Sequence, residues 1–334
     1  METDNQGSKG AGPLRKETSV LCSVLGRVGR RADYAQGRHL LLTSADRSEP
    51  KTLHVHNRLW TALGALLRPQ LLLGAAYIGT CGVLPSIVPM PFTGADVLSR
   101  AVNRTYATAV VFSVTWSFSC VNNDNYFDWH YNDLHLVLRQ CMVGMSIGAC
   151  AFGTVALVAH TLGWVSFIGL GWQQARIGQV AITVFALALH HLSVASSEEL
   201  IFRGYALNLL RSAMGLPAAS TTLIALFALA HGFEPEPQRL IGMAAGGLMY
   251  TMLLLASGSI WTSIGCHFAW NYMQTALLGP AQGQPSLLPM LNHGPELWLG
   301  KPGYPEPGLL SIIVNLAVAG GVAGVWWRSR HLPH

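Results

Sequence analysis

Charge is what this chain has least of. Of its 334 residues 11 % are Asp, Glu, Lys or Arg, while 51 % are hydrophobic. Soluble domains carry about 25 % charged residues, so this balance points instead to a polytopic membrane protein. Also missing are the short motifs of several common hydrolases. No HExxH occurs, which argues against a zincin-type metalloprotease, and no P-loop is present for nucleotide chemistry. The six cysteines (Cys22, Cys81, Cys120, Cys141, Cys150 and Cys266) form no CxxC pair and no metal-finger spacing. They read as small hydrophobes. Neither a repeat of 20–50 residues nor an inverted pair of broken helices is found, which weakens a transporter reading. The net charge of +5 is explained by basic flanks that orient membrane spans, and no nucleic-acid partner is expected.

Apolar runs dominate what is there. About 20 apolar residues cross the hydrocarbon core as a helix, and stretches of that kind lie near 62–83, 105–121, 137–159, 177–196, 217–231, 239–256, 258–278 and 308–327. The expected fold is therefore an all-α polytopic bundle of about eight transmembrane helices. Four regions follow: a basic, partly disordered N-terminal region over 1–58, N-terminal membrane helices over 59–175, a catalytic core over 176–278, and a loop with a final helix over 279–334. Residues 1–58 hold no apolar run of signal-peptide length, so no cleaved leader is expected. Their basic side chains, with Arg328 and Arg330 at the far end, place both termini in the cytoplasm of a multi-pass membrane protein.

Three of the apolar runs carry groups that a lipid-facing helix does not tolerate. They read Glu198-Glu199-Leu200-Ile201-Phe202-Arg203, Phe227-Ala228-Leu229-Ala230-His231 and His267-Phe268-Ala269-Trp270-Asn271. Each ionised side chain at bilayer depth costs about 2.5–3.5 kcal/mol on insertion scales, so such groups mark function or pair with one another. Residues four apart share a helix face. Glu199 and Arg203 can therefore pair along one helix, while Glu198, about 100° away, is left to face a cavity. His267 and Asn271 share a face in the same way. Glu198, His231, His267 and Asn271 then suit hydrolysis. A carboxylate shielded from bulk water takes a proton from water, and His with Asn can donate hydrogen bonds to an oxyanion. Glu198, His231 and His267 can equally hold a divalent metal such as zinc, and the sequence leaves both versions open. His191 lies seven residues before Glu198, about 10 Å along the axis, and reads as a second-layer or substrate-path residue, with His190 as packing.

These motifs, EExxxR, FxxxH and HxxxN in that order, resemble the CPBP family of intramembrane proteases, also called the ABI or CAAX amino-terminal protease family, which includes the type II CAAX prenyl endopeptidases. The resemblance covers roughly residues 176–278 and leaves 1–135 unexplained. It implies an intramembrane endopeptidase in which Glu198 activates water with His231 as partner. His267 and Asn271 then stabilise the oxyanion or bind metal, and Glu199 and Arg203 support them. Members have been described both as metalloproteases and as metal-free glutamate proteases. Membrane-anchored peptides, CAAX-type or bacteriocin-like, are the implied substrates, with membrane lipids the surroundings. The alternatives are a non-catalytic scaffold or immunity protein and an ion or proton transporter.

Overall fold

The computed structural model describes residues 69–87, 91, 96–121, 133–231, 237–281, 283–301 and 305–331. The N-terminal region expected over 1–58 lies outside them. Ten α-helices follow in chain order: α1 Pro69–Ile87, α2 Val97–Val121, α3 Leu134–Thr161, α4 Ile177–Glu199, α5 Ala206–Met214, α6 Leu216–Ala230, α7 Pro237–Ser257, α8 Ile260–Tyr272, α9 Glu296–Leu299 and α10 Leu309–His331. Two π-helical segments interrupt the series, Leu200–Tyr205 between α4 and α5 and Met273–Leu277 after α8. The fold is an all-α bundle. One small exception is a two-stranded antiparallel ribbon in which β1 (Val165–Phe167) pairs with β2 (Met290–Asn292).

Within the described residues, each apolar stretch marked in the sequence falls largely on helix, but the count of eight spans is not established. Among those residues four helices are long and apolar enough to cross a bilayer: Leu134–Thr161, Ile177–Met214, Pro237–Ser257 and Leu309–Ser329. Leu72–Leu84 and Leu216–Ala230 are apolar but shorter. The fourth predicted stretch also ends in a different place. Instead of stopping near 196, the helix runs on through the π segment to Met214, 38 residues in all. Gly204 divides this stretch into two helices. Its backbone leaves the helical region (φ −86°, ψ −109°) and kinks the rod beside the EExxxR motif.

Small residues set how close the helices come. The α3–α8 contact is the tightest, because Gly144 and Gly148 on α3 face the backbone of Thr262 and Cys266, and Gly265 on α8 faces Cys141. A Cβ at Gly144 would sit 2.0 Å from the Thr262 carbonyl oxygen. Close backbone approach of this kind is how helices associate where lipid offers no hydrophobic drive. Thr262 Oγ1 donates to Gln140 Oε1 across the same contact at 2.6 Å. Gly258, at φ +68°, turns the chain between α7 and α8, and the Ser259 side chain caps α8 by accepting from the Trp261 amide. This turn brings α8 back beside α7, where Ser263 Oγ donates to the Tyr250 carbonyl at 2.7 Å.

Candidate active site

The three polar motifs meet. Glu198 and Glu199 close α4 at the mouth of the π segment, His231 follows the last residue of α6, and His267 sits mid-way along α8. π segments widen a helix locally and recur at functional sites. Tyr77 of α1 supports this one, since its hydroxyl donates to the Leu200 carbonyl at 3.3 Å and also bonds Thr115 of α2 at 2.8 Å.

Glu199 is fully buried and faces inward to protein. Its Oε1 accepts from Arg203 Nη1 at 3.1 Å and from His267 Nδ1 at 2.9 Å. The Arg203 guanidinium, itself 3 % exposed, lies over the Phe227 ring at 4.1 Å, a cation–π contact that helps offset its desolvation. A Cβ at Gly247 would come within 2.8 Å of Arg203 Nη2, so that glycine leaves room for the guanidinium. Tyr250 stacks on the His267 ring at 4.5 Å between centroids. Glu199, Arg203, Phe227 and Tyr250 thus fix His267 from every side but one.

Glu198 is less enclosed, with 17 % of its side chain exposed. Its Oε2 lies 3.5 Å from His231 Nε2 and 3.8 Å from His267 Nε2. Both gaps exceed hydrogen-bond length, and Oε2 has no hydrogen-bond partner. The tautomers explain why. His231 Nδ1 meets the Phe227 carbonyl at 2.7 Å, and His267 Nδ1 meets Glu199 Oε1. A carbonyl and a guanidinium-paired carboxylate can only accept, so both Nδ1 atoms carry hydrogen. When the imidazoles are neutral, both Nε2 atoms then present lone pairs toward a carboxylate oxygen. In that state three acceptors converge on one point, which suits a water molecule with its two hydrogens.

A metal was the other version left open by the sequence. The three side chains do come together, and the Nδ1 hydrogen bonds are of the kind that orients metal-binding histidines. Yet no group of three or more His, Cys, Asp or Glu among the described residues is arranged to hold a metal ion. No step below is therefore routed through one.

Asn271 lies one turn beyond His267 on α8, half-buried, and its backbone carbonyl accepts from Thr275 Oγ1 at 2.8 Å. Its carboxamide makes no hydrogen bond to the other site residues. Thr275 Oγ1 also meets His191 Nε2 at 2.7 Å, so His191 joins the layer behind Asn271. His190, read as packing, accompanies it in lining a cavity of about 300 Å³ with Val97, Arg100, Leu187, Thr275, Pro280 and Gln284. Glu198, His231 and His267 are not among that cavity's lining residues. It lies beside the site rather than at it.

One participant escaped the sequence reading. Arg104 of α2 places Nη2 3.2 Å from Glu198 Oε1 and 3.3 Å from Ser197 Oγ. Starting the second apolar stretch at 105 put this residue outside the membrane. The signal was available, because Arg100 and Arg104 lie one turn apart just before an apolar run.

Residues 179–273 match the family model described as type II CAAX prenyl endopeptidase Rce1-like. This segment is similar to that family. The match takes in all three motifs and agrees with the CPBP resemblance. α1, α2, α3, the ribbon, α9 and α10 lie outside it. No curated protein and no solved structure matches the chain.

Proposed function

We propose that this multi-pass membrane protein is an intramembrane endopeptidase that hydrolyses peptide bonds of membrane-associated substrates with a water activated by Glu198. The observation that carries this reading is the unpartnered Glu198 Oε2, facing two imidazole nitrogens whose hydrogens are committed elsewhere. Water held at that point donates toward Oε2 and His231 Nε2. As its oxygen attacks the scissile carbonyl carbon, Glu198 takes the proton. The oxyanion that forms accepts hydrogen bonds from the Asn271 carboxamide. The proton on Glu198 then passes to the departing amine, which restores the starting carboxylate. Glu199 and Arg203 hold His267 in its tautomer throughout.

The match of residues 179–273 to the CAAX endopeptidase family model supports peptide substrates attached to a membrane. The neighbouring 300 Å³ cavity, lined by His191 and Thr275, offers room for a substrate segment. Basic residues before position 59, with Arg328 and Arg330, support cytoplasmic termini. To test the activity, Glu198→Ala and His231→Ala are purified separately and assayed on prenylated and unprenylated membrane-anchored peptides. Each substitution abolishes cleavage on this account. Full activity in either variant contradicts the mechanism.

A further inference from the structure

We infer that Arg104 is a positioning residue for Glu198, so that α2, outside the family-matched segment, forms part of the working site. The inference rests on the reading of Glu198 as the base. A carboxylate at the end of a glutamate turns about its last bond unless one oxygen is held. Arg104 holds Oε1 at 3.2 Å and reaches Ser197 Oγ with the same nitrogen at 3.3 Å. Ser197 Oγ in turn donates to the Ser193 carbonyl at 2.9 Å, so the anchor point belongs to the α4 backbone. With Oε1 held, Oε2 points between His231 and His267.

The position of Arg104 is itself fixed by neighbours on α2. Thr105 Oγ1 meets Ser193 Oγ at 2.9 Å, and Thr108 Oγ1 donates to the Ser193 carbonyl at 2.9 Å. These two ties lock the register of α2 against α4. The ion pair is a poor candidate for a purely stabilising role. Its arginine is 34 % exposed, and pairs that wet add little to stability. An arginine kept beside the bilayer at some desolvation cost, aimed at one oxygen of the proposed base, fits orientation better.

The test compares Arg104→Gln and Arg104→Lys with the parent protein, each purified and checked for folding by size exclusion and thermal unfolding. Misaiming Oε2 by about 1 Å lowers kcat about 100-fold in Arg104→Gln, while KM stays within about threefold. Arg104→Lys recovers part of kcat, because an ammonium can still hold one oxygen. It also answers for the site if Arg104→Gln fails to fold. A second readout does not depend on turnover: labelling of Glu198 by a hydrophobic carbodiimide, followed by mass spectrometry. A guanidinium-paired carboxylate resists the reagent, so Arg104→Gln labels faster than the parent. A folded Arg104→Gln with parental kcat and parental labelling overturns the inference. If Glu198→Ala still cleaves peptides, the activity assignment fails by itself, and the labelling rates alone decide the role of Arg104.

Discussion

Replacing Glu199 with leucine separates the supporting carboxylate from the one assigned to chemistry. Glu199 is 0 % exposed, and its Oε1 takes hydrogen bonds from both Arg203 and His267. Leucine nearly fills the same space but leaves the guanidinium of Arg203 buried with no countercharge. Breaking a buried pair from one side costs about 3–5 kcal/mol, because the surviving charge stays desolvated. The stranded His267 Nδ1 adds about 1–3 kcal/mol when considered alone, but one oxygen serves both donors, so the two costs overlap. A loss of about 3–5 kcal/mol is expected, a large share of the 5–15 kcal/mol that holds a typical domain. Glu198→Leu is the control. It leaves Arg104, which is 34 % exposed, able to turn toward water, and costs about 1 kcal/mol or less. Reversible unfolding in mixed micelles, followed by tryptophan fluorescence, reads both. Glu199→Leu within about 1 kcal/mol of the parent, or Glu198→Leu as damaging as Glu199→Leu, refutes the division of labour between the two glutamates.

The remaining predictions concern packing, substrate access, pH and metal. Gly144→Val drives a side chain into the Thr262 carbonyl, which as backbone cannot yield, so thermal stability in detergent falls by about 1–3 kcal/mol or more. Leu187→Trp fills part of the 300 Å³ cavity and raises KM for a peptide substrate about tenfold with a smaller effect on kcat; unchanged KM removes that cavity from the substrate path. Burial pushes the Glu306 carboxyl, in the loop before α10, above its ordinary range, partly offset by a hydrogen bond from Gln274. The native state then holds this proton more tightly than the unfolded chain. Stability from Glu306 is full at acidic pH and is lost as pH rises through the raised native value. Glu306→Gln flattens that decline, which unfolding midpoints measured across pH 4–8 check. If the mechanism uses the chain's own groups alone, exhaustive chelation leaves cleavage unchanged, and loss restored by zinc contradicts it.

How much of this was legible in the sequence depended on the kind of signal. The EExxxR, FxxxH and HxxxN spacings carry helical geometry directly, so the Glu199–Arg203 pair and the outward turn of Glu198 can be read from position alone. Convergence of His231 and His267 on Glu198 needed the resemblance as well, because periodicity is silent on which helices are neighbours. Three features stayed hidden. The continuation from α4 through the π segment into α5 is masked because Arg203 interrupts the apolar run, although Arg203 is neutralised within its own turn. The role of His267 divides between its two nitrogens, with Nδ1 committed to Glu199, and no spacing rule distinguishes ring atoms. Arg104 fell outside the stretch begun at 105 because charge normally marks the end of a span; here it is tolerated because Glu198 and Ser197 receive it.

A map of the protein in lipid nanodiscs, detailed enough to place ordered solvent, examines the space between Glu198 Oε2, His231 Nε2 and His267 Nε2 directly. The account predicts one density there at hydrogen-bond distance, about 2.7–3.0 Å, from Glu198 Oε2 and at least one of the two nitrogens. A density at about 2.0–2.2 Å from all three atoms would be a metal ion, and would contradict it, as would an Oε2 turned away from both imidazoles.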